Sequence, residues 1–233
     1  EVRLDDARES YVEISNVGTT TLNLSQFEIG VATPWNTPIE LGNLYKGWNV
    51  NANSSYMLPN KDLAPGKSFV IAGLYDWNPR AWAKDPTKGV RVMNKAEFWT
   101  LADIQAHFPE SPVQPRADDS VNNYFHMLDT WGGRECIYLR HHLSATDSVV
   151  IDQVNGFEFD ADGTRSEGPI DVAGFTNATG RATLVRKFSV KKGNIDFMSG
   201  RGIDLEDSEW MPIPFQLGGW EQVRSLFFTA GNH

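Results

Sequence analysis

At 233 residues, 40% of them hydrophobic and 22% charged, the chain is long enough for one large domain or two small ones, has the material for a full core, and does not fit the composition of a disordered protein. A formal net charge of −9 sets it against a general nucleic-acid-binding surface, which needs clustered Lys and Arg to neutralise phosphates; the one basic run, Arg186-Lys187 to Lys191-Lys192, sits among strand residues. Its single cysteine, Cys136, excludes an internal disulfide and a Cys-based zinc site, and no stretch of about eighteen apolar residues is present to span a membrane as a helix.

In chain order, the first pattern is Tyr11-Val12-Glu13-Ile14-Ser15-Asn16-Val17-Gly18, followed by Leu22-Asn23-Leu24-Ser25-Gln26-Phe27-Glu28-Ile29. Val12 and Ile14 alternate with Glu13 and Ser15, and Leu22 and Leu24 with Asn23 and Ser25. This period of two predicts strands buried on one face, joined as a hairpin through Asn16–Thr19. Two strands leave their apolar face uncovered, so a second sheet is expected from later in the chain. Thr33–Pro38 and Asn49–Ser55 read as loops from their Pro, Asn and Ser content. Ala64-Pro65-Gly66-Lys67 predicts a type II turn, with Pro presetting the first central position and Gly permitting positive φ at the second. That turn delivers Ser68–Ala72 as a buried strand.

From Leu74 to Gly133 the strand pattern is interrupted by Pro79, Pro86, Pro109, Pro112 and Pro115. A helix is expected over Lys95–Phe108, with Asn94 as its cap and Glu97 three residues on. The whole stretch, 74–133, reads as an insertion carried on the β domain. Strand alternation returns at Glu135–His141, Asp147–Val154 and Ala182–Phe188. The expected core is Val12, Ile14, Leu22, Leu24, Phe27, Phe69, Ile71, Ile137, Leu139, Val149 and Leu184.

Tyr11–Gly18, Leu22–Ile29 and Leu63-Ala64-Pro65-Gly66-Lys67-Ser68-Phe69-Val70-Ile71, in that order, resemble the lamin tail domain, and the later strands through Glu209-Trp210 extend the likeness. The resemblance covers roughly 11–210, with the insertion unmatched, the stretch from Phe157 to Gly174 longer than expected, and 211–233 a C-terminal extension without a counterpart. It implies a single domain with an immunoglobulin-like β-sandwich fold. It also implies a non-enzymatic binding or tethering module of a bacterial exported or cell-surface protein, within a larger polypeptide or an outer-membrane-associated assembly. The chain opens at Glu1 with neither an initiator Met nor a signal peptide, so a mature form or a piece of a longer polypeptide is expected, with an extracellular or cell-surface location.

Candidate chemistry is sparse. Asp160, Asp162, Thr164 and Glu167 place oxygens at intervals around Gly163, the arrangement of a Ca²⁺ loop; but the twelfth residue from Asp160 is Asp171 rather than a bidentate Glu, and a solvated acidic turn is the favoured reading of the run. No other cofactor is expected. His141 and His142, adjacent on a strand, point to opposite faces and cannot chelate one ion together. Neither a Gly-x-Ser-x-Gly elbow nor a papain-like Cys motif occurs, and Cys136 reads as a strand thiol.

Of the eight Trp residues, Trp77, Trp82, Trp99 and Trp131 fall in the insertion. They either anchor it or form a surface for a protein partner or a carbohydrate. The rival reading from another class is a hydrolase with a carboxylate pair or a metal in the insertion or the Asp160 loop.

Overall fold

The computed structural model describes residues 1–3, 9–33, 49–74, 103–107, 136–155 and 169–214, and the chain is mainly β. In chain order the strands among the described residues are β1 Val2–Arg3, β2 Glu9–Ser15, β3 Leu22–Asn23, β4 Phe27–Thr33, β5 Asn49–Met57, β6 Asp62–Leu63, β7 Ser68–Leu74, β8 Ile104–His107, β9 Cys136–His142, β10 Ser148–Val154, β11 Ala182–Arg186 and β12 Trp210–Pro214. They form a six-stranded sheet in the order β12-β11-β1-β2-β7-β8, a four-stranded sheet in the order β10-β9-β4-β5, and the β3–β6 pair.

Both sheets feed one apolar cluster. Val2, Val12, Phe69, Ile71 and Leu184 enter it from the six-stranded sheet, and Phe27, Ile29, Ile137 and Val154 from the four-stranded one. Register explains the first set: Leu184, Val2, Val12 and Ile71 are successive cross-strand partners, so they form one row on one face. The expected type II turn is present, with Gly66 at φ 70° and Lys67 N donating to Ala64 O at 3.1 Å.

The hairpin expected between Tyr11–Ser15 and Leu22–Ile29 does not form. β2 lies between β1 and β7, Leu22–Asn23 pairs with Asp62–Leu63, and β4 enters the other sheet. The reason lies in Asn16, which is buried and whose Nδ2 donates to Thr20 O at 2.8 Å and Leu63 O at 2.9 Å. Those bonds, with Gly66 N donating to Asn16 O at 2.8 Å, turn the chain across the stack instead of back along β2. Nor is β2 buried on one face alone. Glu13 is 4% exposed beside its partner Val70 at 2%, so β2 is buried on both faces at this position.

Three further expectations are corrected. Asn49–Ser55 is part of strand β5 rather than a loop: Asn49, Val50 and Ser55 pair with Thr33, Ala32 and Gly30 of β4 on either side of a register shift, and this pairing overrides the weak β propensity of Asn and Ser. Within the expected helix Lys95–Phe108, residues 104–107 are strand β8, parallel to β7 in register Ile71↔Ile104. Asp103 sets this up, its N donating to Val70 O and its Oδ2 accepting from Val70 N, 2.9 and 3.0 Å. Part of the stretch read as an insertion is therefore sheet. Val149 is 46% exposed rather than core, because it lies on the outermost described strand, beyond a ring stack of His141 on Phe27 that ends its row. Residues 211–214, at the start of the stretch read as a C-terminal extension, lie in β12, whose Pro212 and Pro214 suit the outermost described strand of its sheet.

Candidate functional site: a polar cluster on the four-stranded sheet

β4 and β9 pair with Glu28 opposite Arg140 and Gly30 opposite Tyr138, so alternate residues of two neighbouring strands bring Glu28, Tyr138, Arg140 and His142 to the face turned away from Phe27 and Ile29. Gly30 is required here. A Cβ at this position would lie 2.3 Å from the Tyr138 hydroxyl oxygen, so the tyrosine occupies the room that any side chain would take.

Glu28, 7% exposed, is the centre of the cluster. Arg140 Nη1 donates to its Oε1 at 3.2 Å, His142 Nε2 lies 2.7 Å from its Oε2, and the Tyr138 hydroxyl donates to Oε1 at 3.5 Å. A carboxylate only accepts, so Nε2 carries the proton in the His142 contact and a neutral imidazole keeps Nδ1 as its acceptor. Burial pushes the Tyr138 hydroxyl well above its ordinary range, with Arg140 opposing and Glu28 reinforcing the shift. The Cys136 thiol, on the same strand, is likewise pushed up by burial. Such a thiol is a poor nucleophile.

A second cluster joins the two sheets. Arg186 on β11 meets Asp152 on β10, Nη2 to Oδ1 at 2.9 Å and Nη1 to Oδ2 at 3.1 Å, with its guanidinium carbon 4.2 Å from the Trp210 ring centroid. Asn194 N donates to Asp152 Oδ1 at 2.9 Å, and Asn194 Nδ2 donates to Glu209 Oε1 at 2.8 Å. Burial raises the Asp152 carboxyl above its ordinary value, and Arg186 works against that shift.

The remaining site residues expected from sequence, Trp77, Trp82, Trp99 and Trp131 together with Asp160, Asp162, Thr164 and Glu167, lie outside the described residues. Asp171, the twelfth position of the candidate Ca²⁺ loop, is described, and its Oδ1 accepts from Asn177 N at 2.7 Å, a turn contact. Among the described residues no group of three or more His, Cys, Asp and Glu could hold a metal ion.

His141 and His142 diverge as adjacent strand residues must, His141 stacking on Phe27 with ring centroids 4.6 Å apart and His142 reaching Glu28 on the other face. Sequence reasoning missed Glu28 as the partner of His142, because 114 residues separate them. The signal was the polar period of β9, Tyr138-Arg140-His142, which asks for an acidic residue on the neighbouring strand. Compared with protein-family models, curated proteins and solved structures, the chain matches none.

Proposed function

We propose that the chain is a non-enzymatic binding and tethering module of a bacterial exported or cell-surface protein, an immunoglobulin-like β-sandwich of the lamin-tail kind within a larger polypeptide or outer-membrane-associated assembly. The ordered motifs at Tyr11–Gly18, Leu22–Ile29 and Leu63–Ile71 support the family, and two sheets sharing one core are in keeping with it. The single observation that carries the non-enzymatic reading is the saturation of Glu28. Arg140 contacts both of its oxygens and His142 contacts one, so this ionisable cluster acts as a cross-strand staple.

On this reading partner contact falls to Trp77, Trp82, Trp99 and Trp131, since Trp is among the residues that dominate interface energy. The test replaces these four with Ala, one at a time, and compares each variant with the unaltered chain in capture of proteins from a bacterial envelope fraction, alongside glycosidase, esterase, phosphatase and protease substrates. The reading expects loss of a captured protein in at least one variant and background turnover throughout. Turnover that vanishes in His142→Ala would contradict it.

A further inference from the structure

Two turns near the end of the described chain differ from the rest of the surface. After β11, Lys187-Phe188-Ser189-Val190 is closed by Val190 N donating to Lys187 O at 2.9 Å, which leaves Phe188 90% exposed at the tip. Lys191 Nζ sits 3.3 Å from the Phe188 ring centroid, and Lys191 and Lys192 are both exposed. This lobe is basic and aromatic.

The second turn is acidic and aliphatic, with Ile203 81% and Leu205 57% exposed around Asp204, Glu206 and Asp207. Its shape is set by its own side chains. Asp207 Oδ1 accepts from Ile203 N at 2.9 Å and Asp204 N at 3.1 Å, while Asp204 Oδ1 accepts from Glu206 N at 2.7 Å and Asp207 N at 3.2 Å. The bonds from Glu206 N and Asp207 N hold the Asp204 carboxyl below its ordinary value. Lys187 ties the lobes together, its Nζ donating to Leu205 O and, at 3.4 Å, to Glu206 O.

We infer that these two turns, 187–192 and 203–207, form a self-complementary surface on which a second copy of this chain docks. A two-fold axis brings the basic-aromatic lobe of one copy onto the acidic-aliphatic lobe of the other, and the reverse contact follows by symmetry. Opposite charges then meet at both ends while Phe188 faces Ile203 and Leu205, removing apolar surface from water on each side. A partner of one charge sign would meet repulsion at one of the lobes, and an anionic lipid surface would meet it at Asp204, Glu206 and Asp207. Because both turns are already held by hydrogen bonds, little ordering opposes docking. The inference uses no residue of the Glu28 cluster or of the Trp-bearing stretch, so it stands or falls apart from the binding reading above.

The test is sedimentation velocity of the full chain over a concentration series, with thermal melting as the folding control. The unaltered chain is expected to self-associate, less so in high salt. Lys191→Glu with Lys192→Glu makes both lobes acidic and should weaken association about tenfold or abolish it. Glu206→Lys leaves the acidic lobe with Asp204 and Asp207, and should weaken association only in part. Phe188→Ser, a neutral change at a 90% exposed position, should weaken association with the melting temperature unchanged. A chain that stays monomeric throughout the series overturns the inference, as does a dimer indifferent to all these changes. Flotation of a monomer with phosphatidylserine-containing vesicles would also overturn it, in favour of a lipid surface.

Discussion

Gly30 and Asp152 show how single residues fix the arrangement. With the Tyr138 oxygen 2.3 Å from where a Cβ would sit, Gly30→Ala forces the tyrosine off its site and should cost about 1–3 kcal/mol in chemical unfolding. Adding Tyr138→Ala should recover part of that loss, since the obstacle is the ring itself; no recovery would place the strain elsewhere. For Asp152 the sign follows from linkage. Its carboxyl is raised by burial, so the folded state binds its proton more tightly than the unfolded chain, and stability falls as pH rises from the ordinary value of 3.8 through the raised one. Asp152→Asn removes this slope. Melting curves should therefore show the unaltered chain's advantage over Asp152→Asn shrinking across that rise, and a widening gap would reverse the assignment.

At the scale of elements, legibility followed the source of each strand's stability. Ser68–Ala72, Ser148–Val154 and Ala182–Arg186 carry β-branched and apolar residues, and each is found as a strand. β5 and β8 were illegible because neither is written in its own side chains. Asn49–Met57 is a strand by virtue of β4, and Ile104–His107 by virtue of β7, and such pairings are decided far away in sequence. For β8 the deciding contact is Asp103, which bonds Val70 through both its side chain and its backbone and also pairs with Lys61. Asp103→Ala should lower stability by about 1–3 kcal/mol and speed hydrogen exchange at the Val70 amide. Unchanged protection there would show that β8 is held by other means.

Among the described residues, one apolar cluster is shared by both sheets, so a large buried side chain from either should be felt by all of it. Phe69, 1% exposed, is the sharpest case: Phe69→Ala should cost about 3–5 kcal/mol in a single cooperative transition, and a loss below about 1 kcal/mol would mean that the two sheets do not depend on it. The expected core was largely legible, with Val12, Leu24, Phe27, Phe69, Ile71, Ile137 and Leu184 all buried, because hydrophobic period survives errors of pairing. The polar cluster was not, since Glu28 and Arg140 are 112 residues apart and only the β4–β9 register makes them neighbours. The direct measurement is a double-mutant cycle by chemical unfolding on Glu28→Gln and Arg140→Met. The account predicts that each change destabilises the fold and that the two are coupled by about 1–3 kcal/mol. Coupling below about 0.5 kcal/mol, with Glu28→Gln as stable as the unaltered chain, would contradict it and mark Glu28 as a residue kept for chemistry.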